Sequence, residues 1–162
     1  MHIIIKNKKL IINNYKVKCA IGKRGIRIKK KEGDLITPKG KFKIKYIFYR
    51  SDRLSNFKSN IKKIIIKKNM GWCDDPSSKY YNRLIKVSKK LKHEKLFRKD
   101  HKYDLLIPIK YNFKKRVLGR GSCIFLHLTK DYKPTAGCIA LNKKDFMVML
   151  KIINNKTKIK IS

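Results

Sequence analysis

Between Gly121 and Asn142 the chain reads GSCIFLHLTKDYKPTAGCIALN, and two side chains in it can do chemistry together. His127 closes one apolar run, and Cys138 follows a glycine at the head of another. A thiol becomes a strong nucleophile once a base takes its proton, and neutral imidazole is the side chain suited to that near neutral pH. Gly137 removes side-chain bulk and permits an unusual φ, so the amides at Gly137–Ile139 can face an oxyanion forming on an attacked carbonyl. Taken singly, His127 reads as a satisfied core histidine and Cys138 as a small core residue. Together, with the glycine between the runs, they read as base and nucleophile. A backbone carbonyl, or Asp131 in the intervening loop, can orient the imidazole.

A second stretch, MGWCDDPSSKYYNRLI, gathers groups that suit a binding wall. It holds the single tryptophan, Trp72, beside Asp74 and Asp75, with Tyr81, Asn82 and Arg83 at its far end. Aromatic surface with a few convergent polar groups is what small polar ligands need, and loops commonly supply it. The plainer alternative is local architecture, with Trp72 filling the core, Asp74 capping a turn and Arg83 in a surface pair. Arg120, just before the histidine run, and Thr135, just before the cysteine, complete the expected substrate contacts. His93 and His101 read as solvated. The four cysteines, Cys19, Cys73, Cys123 and Cys138, show no close pairing. Neither a disulfide scaffold nor a CxxC metal or redox motif is indicated, and no cofactor is expected. A metal set of Cys73, Cys123, His127 and Cys138 is a weaker alternative to independent thiols.

The elements that must hold these groups are mostly strands. His2–Lys6, Leu10–Ile12 and Tyr15–Ala20 are predicted strands, with Asn13-Asn14 as a two-residue hairpin turn. Cys19 belongs to the buried side of the third. Residues 22–40 read as turn and loop; with no GKS or GKT, a phosphate loop is excluded. Thr37-Pro38-Lys39-Gly40 opens a strand over Lys41–Arg50, with Phe42, Ile44, Tyr46 and Phe48 on one face. A polar linker at 51–60 precedes a strand at Ile61–Lys67. Lys89–Lys99 reads as a short helix, and Tyr103–Tyr111 as a strand whose Pro108 suggests an edge or bulge. Cys123–Leu128 carries the histidine. Asn142 is a predicted N-cap, with Asp145 three residues later and Phe146, Met149, Leu150 and Ile153 on the buried face. Lys158–Ile161 closes the chain as a strand. The pattern predicts one mostly β domain over residues 1–162, a β-sandwich or partly open barrel with one or two short helices.

Composition bounds the partners. The 162 residues carry a formal charge of +35, from 45 Lys+Arg against 10 Asp+Glu. Of the basic residues 37 are Lys and only 8 Arg, and base-specific readers lean on arginine. Attraction to an anionic polymer fits this charge; sequence-specific nucleic-acid recognition does not. No run is long enough for a transmembrane helix. The amino terminus reads as a strand rather than a signal peptide, which leaves a cytoplasmic location or an export signal lying outside this sequence.

The motifs resemble those of the L,D-transpeptidase catalytic domain (YkuD) family, whose members show a histidine, a variable loop, then Ser/Thr-His-Gly-Cys. His127, Thr135, Gly137 and Cys138 match that pattern, and Thr37, Pro38, Gly40 and Phe42 match its upstream Thr-Pro-x-Gly-x-Phe element. The chain looks like a compact variant, with Thr-Ala-Gly-Cys for Ser-His-Gly-Cys, Ala136 at the usual second histidine and Ala140 at the usual arginine. The resemblance implies a bacterial, cell-envelope or periplasmic enzyme, without metal or cofactor, acting on peptidoglycan or muropeptides, and a monomer is expected. Cys138 would attack the L-centre carbonyl of a diaminopimelate stem peptide. The acyl-enzyme would pass to an amine in transpeptidation, or to water in an L,D-carboxypeptidase or amidase. A non-catalytic basic module binding an anionic polymer is the alternative from another class.

Overall fold

The first three strands form a meander whose turns are set by asparagine. In the computed structural model, which describes residues 2–162, β1 (His2–Lys6), β2 (Lys9–Ile12) and β3 (Tyr15–Lys18) run antiparallel in sequence. Asn7, Lys8 and Asn13 take positive φ at the two turns, a conformation that asparagine tolerates. The next stretch is mainly loop, closed by a two-residue parallel pair, β4 (Ile26–Arg27) and β5 (Thr37–Pro38).

The strand expected over Lys41–Arg50 is two strands in two sheets. β6 (Gly40–Lys43) joins the first sheet, and β7 (Tyr46–Tyr49) joins the second beside β8 (Lys62–Ile65). The chain turns a corner at Ile44-Lys45, so the alternation breaks: Phe42 and Ile44 face one core and Phe48 faces another. The helix expected over Lys89–Lys99 is absent. β9 (Met70–Cys73) is flanked by β10 (Leu84–Lys86) and β11 (His93–Lys95) in a small antiparallel sheet. Strand pairing with β9 and burial of Leu96 win there over a helical face that has few apolar residues.

β12 (Leu105–Pro108) is interior, between β7 and β13 (Phe125–Leu128), so Pro108 marks the end of an interior strand rather than an edge or bulge. β14 (Ile139–Leu141) pairs parallel to β13 and leads into α1 (Lys143–Ile152). Asn142 caps that helix, its side chain accepting from the Asp145 N–H at 2.8 Å. β15 (Lys158–Ile161) returns to the interior of the first sheet, between β1 and β6. The fold is mostly β, in several sheets and without a closed barrel.

The second sheet, in order β14-β13-β12-β7-β8, is the middle layer. Leu105, Ile107, Leu126, Ile139 and Leu141 face one core, shared with the first sheet and with Phe146, Met149 and Leu150 of α1. Phe48, Leu106 and Phe125 face a second core, shared with Trp72, Leu96 and Tyr103. Burial on both faces explains why β12 and β14 read as unbroken apolar runs and why β13 is apolar apart from His127.

Candidate active site

Strand periodicity places the histidine and the cysteine on the same face of the middle sheet. His127 is opposite Ala140 in the parallel β13–β14 ladder, and Cys138 stands two residues before Ala140, so all three point toward the second core. They share a cavity of about 520 Å³, open to solvent, whose wall also includes Tyr103, Cys123, Thr135 and Ala136. Ala140, small and buried opposite His127, also lines this cavity.

The turn before the cysteine is held from both sides. Thr135 Oγ1 donates to the Cys138 carbonyl at 2.6 Å and accepts from the Gly137 N–H at 3.1 Å. Thr37 Oγ1 donates to the Gly137 carbonyl at 2.9 Å and accepts from the Gly22 N–H at 2.8 Å. Thr37, fully buried, thus ties the upstream Thr-Pro element to the cysteine turn across 100 residues of sequence. Gly137 has φ +142°, and a Cβ there would lie 2.8 Å from the Ile36 carbonyl oxygen, so glycine is required twice over. Because the Gly137 N–H is committed to Thr135, the oxyanion donors expected over Gly137–Ile139 narrow to those after it.

Imidazole orientation follows from a single hydrogen bond. His127 Nδ1 lies 2.9 Å from the Leu128 carbonyl. A carbonyl only accepts, so Nδ1 carries the proton and Nε2 keeps its lone pair. The ring of Tyr103 packs against the imidazole edge-on at 5.4 Å, and the Tyr103 hydroxyl donates to Glu94 at 2.8 Å. Burial, reinforced by the charges of Lys102 and Arg98, lowers the His127 pKa to about 4. Asp131 does not orient it: that carboxylate, though on the cavity wall, is bonded to Thr129 and Lys133.

Cys138 Sγ donates to the Cys123 carbonyl at 3.1 Å and accepts from the Phe125 N–H at 3.4 Å. Burial raises its pKa to about 12, against a smaller lowering by the Phe125 amide. The resting pair is therefore neutral thiol and neutral imidazole, not an ion pair. Cys123, with φ +53°, also lines the cavity, and burial pushes its thiol well up. Cys73 lies outside the cavity, and no metal-binding group of three or more His, Cys, Asp or Glu exists among the described residues.

The expected binding wall is only partly assembled. Asp74 and Thr135 line the cavity, whereas Trp72, Tyr81, Asn82, Arg83 and Arg120 do not. Trp72 packs under the site, 5.4 Å from Phe125, and its Nε1–H donates to Asn82 Oδ1 at 2.9 Å. Tyr81 is buried, donating to Glu32 and accepting from the Gly121 N–H at 2.8 Å. Arg83 and Arg120 are exposed elsewhere. For Trp72 the architectural alternative describes the structure, since its ring fills the second core; the surface pair expected for Arg83 is not formed among the described residues. Asp74 is different: its Oδ1 is buried without any hydrogen bond, and burial raises its pKa.

Groups that the sequence reading passed over fill the wall instead: Lys29, Glu32, Glu94, Arg98 and Lys102. Glu94 and Arg98 belong to the stretch read as a helix, and they reach the cavity only because β11 pairs with β9. Lys29 makes a buried ion pair with Asp34 inside the loop over 22–40. No spacing signal marked these residues.

Comparison with known proteins gives one family and one fold. The family model of the L,D-transpeptidase catalytic domain (YkuD) matches residues 1–161. No curated protein matches the chain. Among solved structures, the helical cell shape determining protein Pgp2 from Campylobacter jejuni aligns with a TM-score of 0.54 and 17% identity, over 99% of this chain and 46% of that one. A point mutant of Pgp2 aligns equally well. This chain thus spans about half the length of that structure, and at such identity the likeness concerns the fold.

Proposed function

Because this chain belongs to the L,D-transpeptidase catalytic domain family, we propose that it is a cysteine acyltransferase on peptidoglycan stem peptides, working through an acyl-enzyme on Cys138. The observation that carries this reading is the shared cavity, with His127 held by Leu128 as the Nδ1–H tautomer and its Nε2 left free as base.

Since both groups rest neutral, the proton moves as the bond forms. His127 Nε2 takes the thiol proton while Sγ attacks the L-centre carbonyl of a diaminopimelate stem. The carbonyl π electrons pass to oxygen, and the Cys138 amide is the donor placed to meet that charge. Collapse breaks the peptide bond; the departing D-amino acid takes the proton from the His127 imidazolium. Burial, which lowers the His127 pKa, favours this second transfer as much as it slows the first. In the return half, Nε2 deprotonates an incoming amine or water as it attacks the thioester; the C–S bond breaks, the Cys138 sulfur takes the proton back from the imidazolium, and a cross-link or a trimmed stem is released.

Asp74 receives the ammonium of the stem, because an orphaned buried carboxylate oxygen in the wall is stabilised by a cationic partner. Arg98 and Lys102, rather than the arginine absent at Ala140, are the cations available to a substrate carboxylate. The test is incubation with a tetrapeptide muropeptide and analysis of products. Release of the terminal D-residue that depends on Cys138 and His127 supports the reading; dimers indicate transfer to an amine and tripeptides indicate hydrolysis. Unaltered muropeptide with folded protein would leave the basic binding module as the better description.

A further inference from the structure

The outer face of the first sheet carries charge of one sign only. Its strands lie in the order β3-β2-β1-β15-β6, and their inward residues, such as Ile3, Ile5, Leu10, Ile12, Ile159 and Ile161, build the core. Every outward residue is Lys, His or Ile. All 10 acidic residues of the chain lie on other elements, between Glu32 and Asp145. The lysines stand directly across from one another: Lys9 against Lys18, Lys43 against Lys158, and Lys41 against Lys160. Like charges so placed destabilise a sheet. Among the described residues no ion pair on this face relieves them, since every carboxylate partner of a lysine or arginine is elsewhere.

The middle of the face is apolar. Ile4 and Ile11 are register partners on β1 and β2, half-buried and flanked by the exposed lysines of the neighbouring strands. Lysine rather than arginine is the cation throughout, a flexible point charge that neutralises phosphates without reading their geometry.

We infer that this sheet face is a docking surface for an anionic phospholipid bilayer. The cross-strand lysines meet headgroup phosphates, and Ile4 and Ile11 enter the interfacial layer between them. A thread-like polyanion would be served by the charges alone; a bilayer also rewards the apolar pair. The surface is separate from the Cys138 cavity and does not depend on its chemistry.

Co-sedimentation with vesicles tests this, using phosphatidylcholine alone and phosphatidylcholine mixed with phosphatidylglycerol. The wild-type protein is expected to bind only the mixed vesicles, more weakly as salt rises. Each lysine near an anionic surface is worth about fivefold in partitioning. The variant K9Q/K41Q/K43Q/K158Q is therefore expected to lose a factor on the order of hundreds. A variant with the same charge change on other exposed lysines, K58Q/K68Q/K90Q/K115Q, should lose less than about tenfold. Melting temperature should stay level or rise in the face variant, because like-charge pairs are removed. Ile4→Thr with Ile11→Thr keeps the β-branched shape, and should weaken vesicle binding while leaving affinity for a DNA duplex unchanged. Equal losses in the two lysine variants would overturn the assignment of the face. Undiminished vesicle binding by the isoleucine variant would overturn the bilayer in favour of a soluble polyanion.

Discussion

Acidification acts on this protein through His127, and the size of the effect follows from its burial. In an unfolded chain the imidazole titrates near 6.5, whereas in the folded site its pKa is about 4. The unfolded state thus binds a proton over an interval in which the folded state refuses it. The neutral imidazole's contribution is fully present above pH 6.5 and is lost as pH falls toward 4. A displacement of about two and a half pH units corresponds to about 3 kcal/mol. With the residue only 7% exposed, solvent screening removes little of that. For a chain of this size, 3 kcal/mol is about 6–12 °C in melting temperature. The assay is a thermal melt over a pH series, on wild type and His127→Gln. Glutamine cannot titrate, while the carboxylates and the other three histidines are common to both proteins and cancel in the difference. The wild type is expected to lose about 6–12 °C more than the variant between pH 6.5 and 4. Parallel curves would refute the burial of a neutral base, and with it the proton inventory of the proposed mechanism.

Alkylation of Cys138 should accelerate about tenfold per pH unit from neutrality past pH 10, because the thiol titrates near 12; a plateau below pH 7 would instead reveal a thiolate–imidazolium pair. Gly137→Ala drives a Cβ to within 2.8 Å of the Ile36 carbonyl at φ +142°; it is expected to cost about 1–3 kcal/mol in denaturant unfolding and most of the activity, whereas Ala136→Gly should cost less than 1 kcal/mol. Asp74→Asn should lower kcat/KM by severalfold to about a hundredfold with little change in melting temperature, since its Oδ1 has no protein partner to lose. Exposed Arg83, outside the cavity, supplies the control: Arg83→Ala should leave both quantities unchanged.

The legible parts of this molecule were those fixed by local chemistry. The meander over His2–Lys18 could be read because alternation and asparagine turns are short-range signals. The Asn142 cap and the buried face of α1 are equally local. Two losses had long-range causes. The Lys41–Arg50 stretch alternates as one strand, yet its halves belong to different sheets, and nothing nearby in sequence encodes the corner at Ile44-Lys45. The Lys89–Lys99 stretch becomes a strand because β9 offers an edge, which its own lysine-rich pattern cannot announce. The site divides the same way. Gly137 and Cys138 sit in a turn and His127 lies one residue before the end of β13, so local pattern singled them out, while Thr135 was marked by the family motif. Trp72 and Tyr81 looked like a binding wall because aromatic and polar groups crowd there, but those polar groups satisfy one another: Asn82 serves Trp72 and Glu32 serves Tyr81. The cavity wall was left to Glu94, Arg98 and Lys102, which only tertiary pairing brings round.

The central claim is that a substrate acyl group becomes bonded to Cys138. Intact-mass measurement of the protein during turnover of a tetrapeptide muropeptide, followed by peptide mapping, tests it most directly. The expected result is an adduct equal to the stem minus its terminal D-residue, mapped to the peptide containing Cys138. It should be absent from Cys138→Ala, slow to form in His127→Gln, and unaffected by Cys19→Ala. An adduct mapping to Cys123, or release of the D-residue by folded Cys138→Ala, would contradict the account.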